Sequence, residues 1–342
     1  MSPSSALALL VANPTAQSGR NAARIASARA LLDRAGVAHS LLPTLPDGAT
    51  VGAVAEACGA APWRCVIAMG GDGTFSEVAR GLHASGRAEA IPLAMLPTGT
   101  ANDQGRSFGL SADEAALARN VAVLAEGFET RLDAGRLRAL DASGALVRES
   151  LFFDSAGWGF SPRALAARNV DRKVIEEIPV LRELWRDQLV YAGAMMRTFL
   201  EGYVEDDRFD AELVLDGRAL AWRGVTDLIV KGTRVYGGFW VLDPSAAHDD
   251  GLFEVVPMTG RRDWLSKAMV RLDGSGGLED ALKSLGVSHS AEARGARMAF
   301  TFRAEAGALP LHAQIDGEEF PATPRAEIEV LRRALRLVVP RA

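Results

Sequence analysis

The sequence predicts a two-part fold, an N-terminal doubly wound (Rossmann-like) α/β layer followed by an antiparallel β-sandwich. Up to about Phe128, short apolar runs alternate with alanine-rich helical stretches. That is the β-α-β-α rhythm of a parallel sheet covered on both faces. Beyond Thr130 the chain becomes a succession of alternating strands with turn signals such as Asp216-Gly217 and Asp250-Gly251, the pattern of a sandwich. A length of 342 residues suits such a division, at about 100 to 200 residues per domain.

In the first half, Leu7 to Ala12, Ser40 to Leu42, Cys65 to Met69 and Pro92 to Leu96 read as buried parallel strands. Ligands of doubly wound sheets bind at the carboxyl ends of strands, so the loops after Ala12, Leu42, Met69 and Leu96 are the informative ones. In the second half the expected strands are Arg136 to Leu140, Glu149 to Phe153, Phe209 to Leu215, Ala219 to Arg223, Thr226 to Val230, Gly251 to Val256, Arg297 to Phe302 and Leu311 to Ile315. A helical stretch from Ser161 to about Tyr203 interrupts them. Ile178, Leu181, Trp185, Ala192, Met195 and Phe199 recur there at helical spacing, with Gln188 the polar exception. Packing over a sheet is the plain reading of that stripe, and a cover that meets an acyl chain or membrane is the functional one. Ala326 to Leu331 and Ala334 to Val339 are expected as two final strands.

Composition narrows the function. The chain is 48% hydrophobic and 24% charged, with Lys+Arg 38 against Asp+Glu 43 and a net charge of −5. That is an ordinary soluble composition, and it argues against a nucleic-acid partner, which needs a segregated basic face. The only lysines are Lys173, Lys231, Lys267 and Lys283, so a Walker A loop is excluded from the N-terminal half. Arginine richness by itself reads as genomic base composition. Cys58 and Cys65 make neither a disulfide framework nor a zinc site, which suits a reducing compartment. The apolar run Ala6 to Ala12 lacks a charged flank and reads as a buried strand rather than a signal peptide. No run approaches the ~18 residues of a membrane span.

The strongest local signal is Gly70-Gly71-Asp72-Gly73-Thr74, directly after a strand and before the helix Phe75 to His83. Glycines let backbone N–H groups approach a ligand beside a helix N-terminus, an arrangement that binds phosphate without lysine. Taken alone, the loop is equally a tight turn with Asp72 as a cap. It has company, however. Pro97-Thr98-Gly99-Thr100-Ala101-Asn102-Asp103 follows the next strand, and Asn13-Pro14 follows the first. Three polar loops at one sheet edge point to a nucleotide pocket.

These motifs, with Glu77, Gly81-Leu82, Arg106, Leu132-Asp133-Ala134-Gly135-Arg136, Asp250-Gly251-Leu252 and Asp316-Gly317-Glu318, resemble the diacylglycerol kinase catalytic domain and the bacterial YegS-like lipid kinases. That group shares its glycine loop with sphingosine kinases and NAD kinases. The resemblance covers essentially the whole chain. It implies an ATP- and Mg²⁺-dependent kinase that phosphorylates a lipid hydroxyl, most simply diacylglycerol to phosphatidate, in a cleft between the two domains. It implies that Asn13, Thr44, Gly70, Gly71, Asp72, Gly73, Thr74, Phe75, Ser76, Glu77, Gly99, Thr100 and Asn102 hold ATP. Residues 1–132 with about 326–342 would form the nucleotide domain, and 133–325 the sandwich with a helical insertion at about 161–203. The lipid would be met at a membrane surface by a cytoplasmic protein without a transmembrane segment, with a homodimer left open.

The resemblance assigns Glu318 as general base and Asp316 as a neighbour shaping the site, where the plain reading of Asp-Gly is a hairpin turn. If a strand ran through both, they would share a face. Asp72 and Asp133 are the candidates for the nucleotide's Mg²⁺, against plain readings as a helix cap and a strand end. A structural Mg²⁺ is implied on the carboxylate of Asp250 and the carbonyls of Ala247 and Leu252, with His248 as exposed loop. Three positions depart from the family pattern: Ser76 and Asp154 stand where Asn is frequent, and Lys231-Gly232-Thr233 replaces a Gly-Asn-Gly-like segment. Alternatives are an NAD kinase and a catalytically silent nucleotide- or lipid-binding regulator. Trp158, Phe160, Trp185 and Phe239 could line a lipid cleft, but core packing is the plainer expectation.

Overall fold

A computed structural model describes residues 7–14, 20–99, 101–113, 115–163, 208–237, 240–241, 246–260, 263, 293–304 and 311–341. The expected helical insertion, including Trp185, therefore lies outside the described residues from 164 to its end, as do Thr100 and Phe239.

The first half alternates β1 (Ala8–Ala12), α1 (Arg20–Arg34), β2 (His39–Pro43), α2 (Thr50–Ala60), β3 (Val66–Gly70), α3 (Asp72–Ala84), β4 (Leu93–Pro97), α4 (Asp103–Ser107) and α5 (Ala116–Glu126). The four strands are parallel in the order β2-β1-β3-β4. Their residues are apolar without alternation because both faces are covered. Leu9, Val11, Val66 and Ala68 pack with Val54, Val78 and Leu82 on one face, while Leu10, Ala12, Ile67 and Met69 pack with Ile25, Leu32 and Leu124 on the other. From β1 the chain moves outward to β2, then returns across β1 to β3 and β4. The switch point thus lies between the carboxyl ends of β1 and β3, where such sheets open a crevice.

The rest comprises β5 (Glu129–Leu140), β6 (Leu146–Phe152), β7 (Ser155–Gly159), β8 (Phe209–Leu215), β9 (Arg218–Val225), β10 (Asp227–Lys231), β11 (Val235–Tyr236), β12 (Trp240–Val241), β13 (Phe253–Met258), β14 (Ala293–Gly295), β15 (Arg297–Ala304), β16 (Ala313–Ile315), β17 (Glu318–Phe320) and β18 (Arg325–Val338). The first sheet continues β4-β18-β15-β8-β9, with β5 joining β18 to β6. A second, antiparallel sheet runs β14-β13-β10-β7-β16-β17. The two sheets enclose Trp158, Phe152, Phe253, Phe300 and Phe302, so Trp158 is core, 1% exposed.

The expected two final strands are one. β18 pairs with β5 along its length, and its register shifts between Leu331 and Leu335, where Arg333 takes a positive φ of 54°. A bulge turns the strand without ending it. As a result Ala326 and Ile328 lie in the sandwich core, while Leu335 and Leu337 lie in the α/β core. The long strands β5 and β18 stitch the two cores together.

Candidate active site

The glycine loops meet as the strand order requires. Thr98 N–H donates to Gly70 O at 2.8 Å, and a Cβ on Gly99 would stand 2.5 Å from Gly71 Cα. No side chain fits between these two backbones. Asn102, at φ 53°, spends its amide within the second loop, accepting from Gly99 N–H at 2.9 Å and donating to Gly99 O at 2.6 Å. Gly70 has Thr74 packed directly on it, and a Cβ there would stand 2.3 Å from Thr74 Oγ1. Gly71 is extended at the start of α3, so the unpaired N–H groups of that helix's first turn face the β1/β3 crevice. Asn13 and Thr44 follow β1 and β2 at the same edge, tied through Asn21 Nδ2 to Asn13 O at 2.5 Å and Thr44 N–H to Ala12 O at 2.9 Å. Phe75 turns its side chain inward. Its ring is buried edge-on against Phe153 at 6.1 Å, leaving only its backbone near the loop.

Asp316 and Gly317 have φ of 47° and 77°, the two positive values of a type I′ hairpin, and they join β16 to β17. The strand therefore does not run through Asp316 and Glu318, and the two carboxylates do different work. Asp316 is buried and accepts from the N–H groups of Phe153 at 3.0 Å, Asp154 at 2.8 Å and Ser155 at 3.2 Å, and from the Ser76 hydroxyl at 2.5 Å. It ties the hairpin to the turn before β7 and to α3. Glu318 is half exposed. A Cβ on Gly73 would lie 3.2 Å from its Oε1, so one carboxylate oxygen overhangs the first turn of α3.

The three family departures meet around this hub. Ser76 donates to Asp316, and Asp154 presents its N–H to the same carboxylate. The Asp154 side chain is paired with buried Lys231, Nζ to Oδ1 2.8 Å, and accepts the Thr233 hydroxyl. Lys231 also donates to Val235 O at 2.5 Å and lies over the Tyr236 ring at 5.4 Å. An aspartate at 154 would be costly in the interior without a partner, and the lysine at 231 supplies it.

Asp72 lies in the first turn of α3, with Oδ1 accepting from Gln104 N–H at 3.3 Å. Burial, then the carboxylate of Asp154, pushes its pKa up to about 6 against the backbone N–H of Gln104. Burial and Asp154 likewise raise Asp316 to about 6, against the Ser76 hydroxyl. Asp72, Asp154 and Asp316 converge here, with the Lys231 ammonium paired to Asp154, a negative potential that suits a divalent cation brought by a triphosphate. Among the described residues no cluster of three or more His, Cys, Asp or Glu side chains is arranged to hold a metal by itself. Asp72 is the oxygen donor that fits. Burial raises the pKa of Glu77, against the Thr50 side chain at the start of α2.

Asp133 is held by other partners. Its N–H donates to His248 O at 2.8 Å, and its carboxylate accepts from Gly251 N–H at 2.6 Å and from Arg333 N–H, in the β18 bulge, at 2.5 Å. Burial raises its pKa, followed by Asp250 and Asp249 against those two N–H donors. Asp250 accepts from Leu252 N–H at 2.9 Å and pairs with the Arg294 guanidinium. A cation on Ala247, Asp250 and Leu252 would compete with Arg294 for that carboxylate. His248, expected as exposed loop, is half buried, bonded to Thr130 Oγ1 at 2.9 Å and edge-on to Phe108.

Sequence reading missed Arg80, whose Nη2 is 3.0 Å from Glu318 Oε2. Gly73, Ser76, Glu77 and Arg80 share one face of α3 by helical spacing, and that signal was available.

Comparison with known proteins gives the family. The diacylglycerol kinase catalytic domain matches residues 7–137. A Pseudomonas aeruginosa protein named "Probable lipid kinase YegS-like" is 32% identical over 237 residues, 69% of this chain and 68% of that one. A Mycobacterium tuberculosis protein named "Diacylglycerol kinase" is 29% identical over 193 residues, 56% of this chain and 53% of that one. A crystal structure of a diacylglycerol kinase from Bacillus anthracis superposes with a TM-score of 0.63 at 18% identity, over 98% of this chain and 97% of that one, which shows the shared fold. The chain belongs to the YegS-like lipid kinases, within the diacylglycerol kinase catalytic-domain family.

Proposed function

We propose that this lipid kinase transfers the γ-phosphoryl group of ATP to the free hydroxyl of diacylglycerol, giving phosphatidate and ADP. The observation that carries the reading is the overhang of Glu318 Oε1 on Gly73, a proton acceptor beside a phosphate-binding helix end. Backbone N–H groups of Gly71, Gly73 and Thr74 would receive the triphosphate oxygens. Asn13 and Thr44 line the same edge, and Asn102 shapes the second loop. Glu318 takes the hydroxyl proton as the lipid oxygen bonds to the γ-phosphorus and the bond to the bridging oxygen of ADP breaks. Asp316 holds the hairpin that carries Glu318, and Asp133 holds the junction of β5, β18 and the 247–252 loop. Mg²⁺, held through Asp72 with the nucleotide, would spread the charge developing on the transferred group.

The proposed division assigns residues 1–132 to the nucleotide side and 133–325 to the lipid side, with β18 shared between them: Ala326 and Ile328 lie in the sandwich core and Leu335 and Leu337 in the α/β core. No described helix is long and apolar enough to cross a membrane. The mutual compensation of Ser76, Asp154 and Lys231 around Asp316 weighs against a silent regulator. The test is labelled ATP with Mg²⁺ and detergent-dispersed diacylglycerol, monoacylglycerol, ceramide and sphingosine, with NAD in parallel. Labelled phosphatidate is expected; formation of NADP, or label in no lipid, contradicts the proposal.

A further inference from the structure

We infer that Arg80 is a positioning residue for Glu318, orienting its carboxylate so that Oε1 is presented to the acceptor hydroxyl. The inference rests on the lipid-kinase reading above and adds to it a residue which the motifs do not include.

The geometry is that of a fixed fork. Arg80 Nε donates to Ser76 O at 3.2 Å, Nη1 to Ser150 Oγ at 3.3 Å and Nη2 to Glu318 Oε2 at 3.0 Å. Its acceptors come from α3, β6 and β17, so one guanidinium bridges the nucleotide-side helix to two strands of the other half. The side chain of Arg80 is 15% exposed and that of Glu318 is 42% exposed. A solvated ion pair between two free side chains would have little effect. This guanidinium is instead anchored by its own helix and by Ser150, and its planar geometry sets the direction of the third bond. With Oε2 engaged by Arg80, Oε1 is the oxygen left on the Gly73 side. Arg80 also offsets the repulsion between Glu318 and nearby Glu77, whose pKa Glu318 raises and the guanidinium lowers. Without Arg80, Glu318 keeps its place on β17 but loses its orientation.

A double-mutant cycle on phosphate transfer from ATP to diacylglycerol micelles tests this, using wild type, Arg80→Ala, Glu318→Gln and the double variant. Arg80→Ala should lower kcat on the order of 10- to 100-fold, with KM for ATP and the melting temperature nearly unchanged. In the Glu318→Gln background the same substitution should add less than about a twofold loss, because the residue it acts through is gone. Arg80→Lys, which keeps charge but not the fork, should recover part of the rate and carries the same cycle if the alanine variant folds poorly. Equal losses in both backgrounds, or none in either, overturn the role while leaving the kinase reading intact. A wild-type protein that labels no lipid overturns that reading, and this role with it.

Discussion

Among the described residues, the carboxylates around Asp316 and those around Asp133 are held in different ways. Around Asp316 and Asp72, Lys231 pairs with Asp154 alone, and burial followed by the Asp154 carboxylate pushes Asp72 and Asp316 up to about 6. Around Asp133, each carboxylate has a dedicated donor: backbone N–H groups of Gly251 and Arg333 for Asp133, and Arg294 with Leu252 N–H for Asp250. The second group closes a junction between two long strands. The first carries excess negative charge beside a helix N-terminus, which is what a centre that handles phosphate and a divalent ion requires. Asp133, the structural staple, is crowded as well, its pKa raised by burial and then by Asp250 and Asp249; what distinguishes the Asp72 group, the proposed reaction centre, is its place in the first turn of α3, beside the glycine loops.

That contrast can be broken or sharpened by substitution. The largest effect is expected at Glu318: Glu318→Gln should cost roughly 10²- to 10⁴-fold in kcat, with ATP still raising the melting temperature. Next is Lys231→Met, which strands Asp154 in the interior and should cost about 3–5 kcal/mol of unfolding free energy in urea. Adding Asp154→Asn should restore more than half of that loss if the two departures compensate each other.

Smaller effects should distinguish the staple. Asp133→Ala leaves two N–H groups without their acceptor and should cost about 1–3 kcal/mol while kcat stays within about threefold. A loss of kcat without loss of stability would move Asp133 back into the reaction centre. The smallest effect is on pH dependence. The Asp72 pKa is raised from 3.8 to about 6 in the folded protein. Above pH 6 its charge therefore opposes folding, and the penalty fades as pH falls toward 4. That shift is worth roughly 3 kcal/mol; because the neutral amide accepts the Gln104 N–H more weakly than the carboxylate, Asp72→Asn should gain about 1–2 kcal/mol at pH 7 to 8, and the gain should vanish near pH 4.

Much of this was legible in the sequence. Unbroken apolar runs such as Val66 to Met69 signal strands buried on both faces, and the glycine loops follow directly from their strand ends. The Asp316-Gly317 turn was equally readable, but the role of Asp316 was not, because its hydrogen-bond donors come from residues 153–155 and Ser76, far away in the chain. For the same reason Ser76, Asp154 and Lys231 read as separate departures until the fold brought them to one hub. β7 escaped notice because Ser155-Ala156-Gly157-Trp158-Gly159 is small and glycine-rich, although it lies between β10 and β16. There Gly157 is closely approached by the Gln314 side chain, and Gly159 takes a φ of 110°. Arg80 had the helical spacing but a partner 238 residues away.

The central claim is that Glu318, overhanging the glycine loop, is the base of a lipid kinase. Its most direct test is the rate of label transfer from ATP to diacylglycerol by wild type and Glu318→Gln, with nucleotide binding followed in the same samples. The account predicts phosphatidate from wild type and a loss of at least about 100-fold in the variant with ATP binding retained. Equal transfer by both proteins would contradict it.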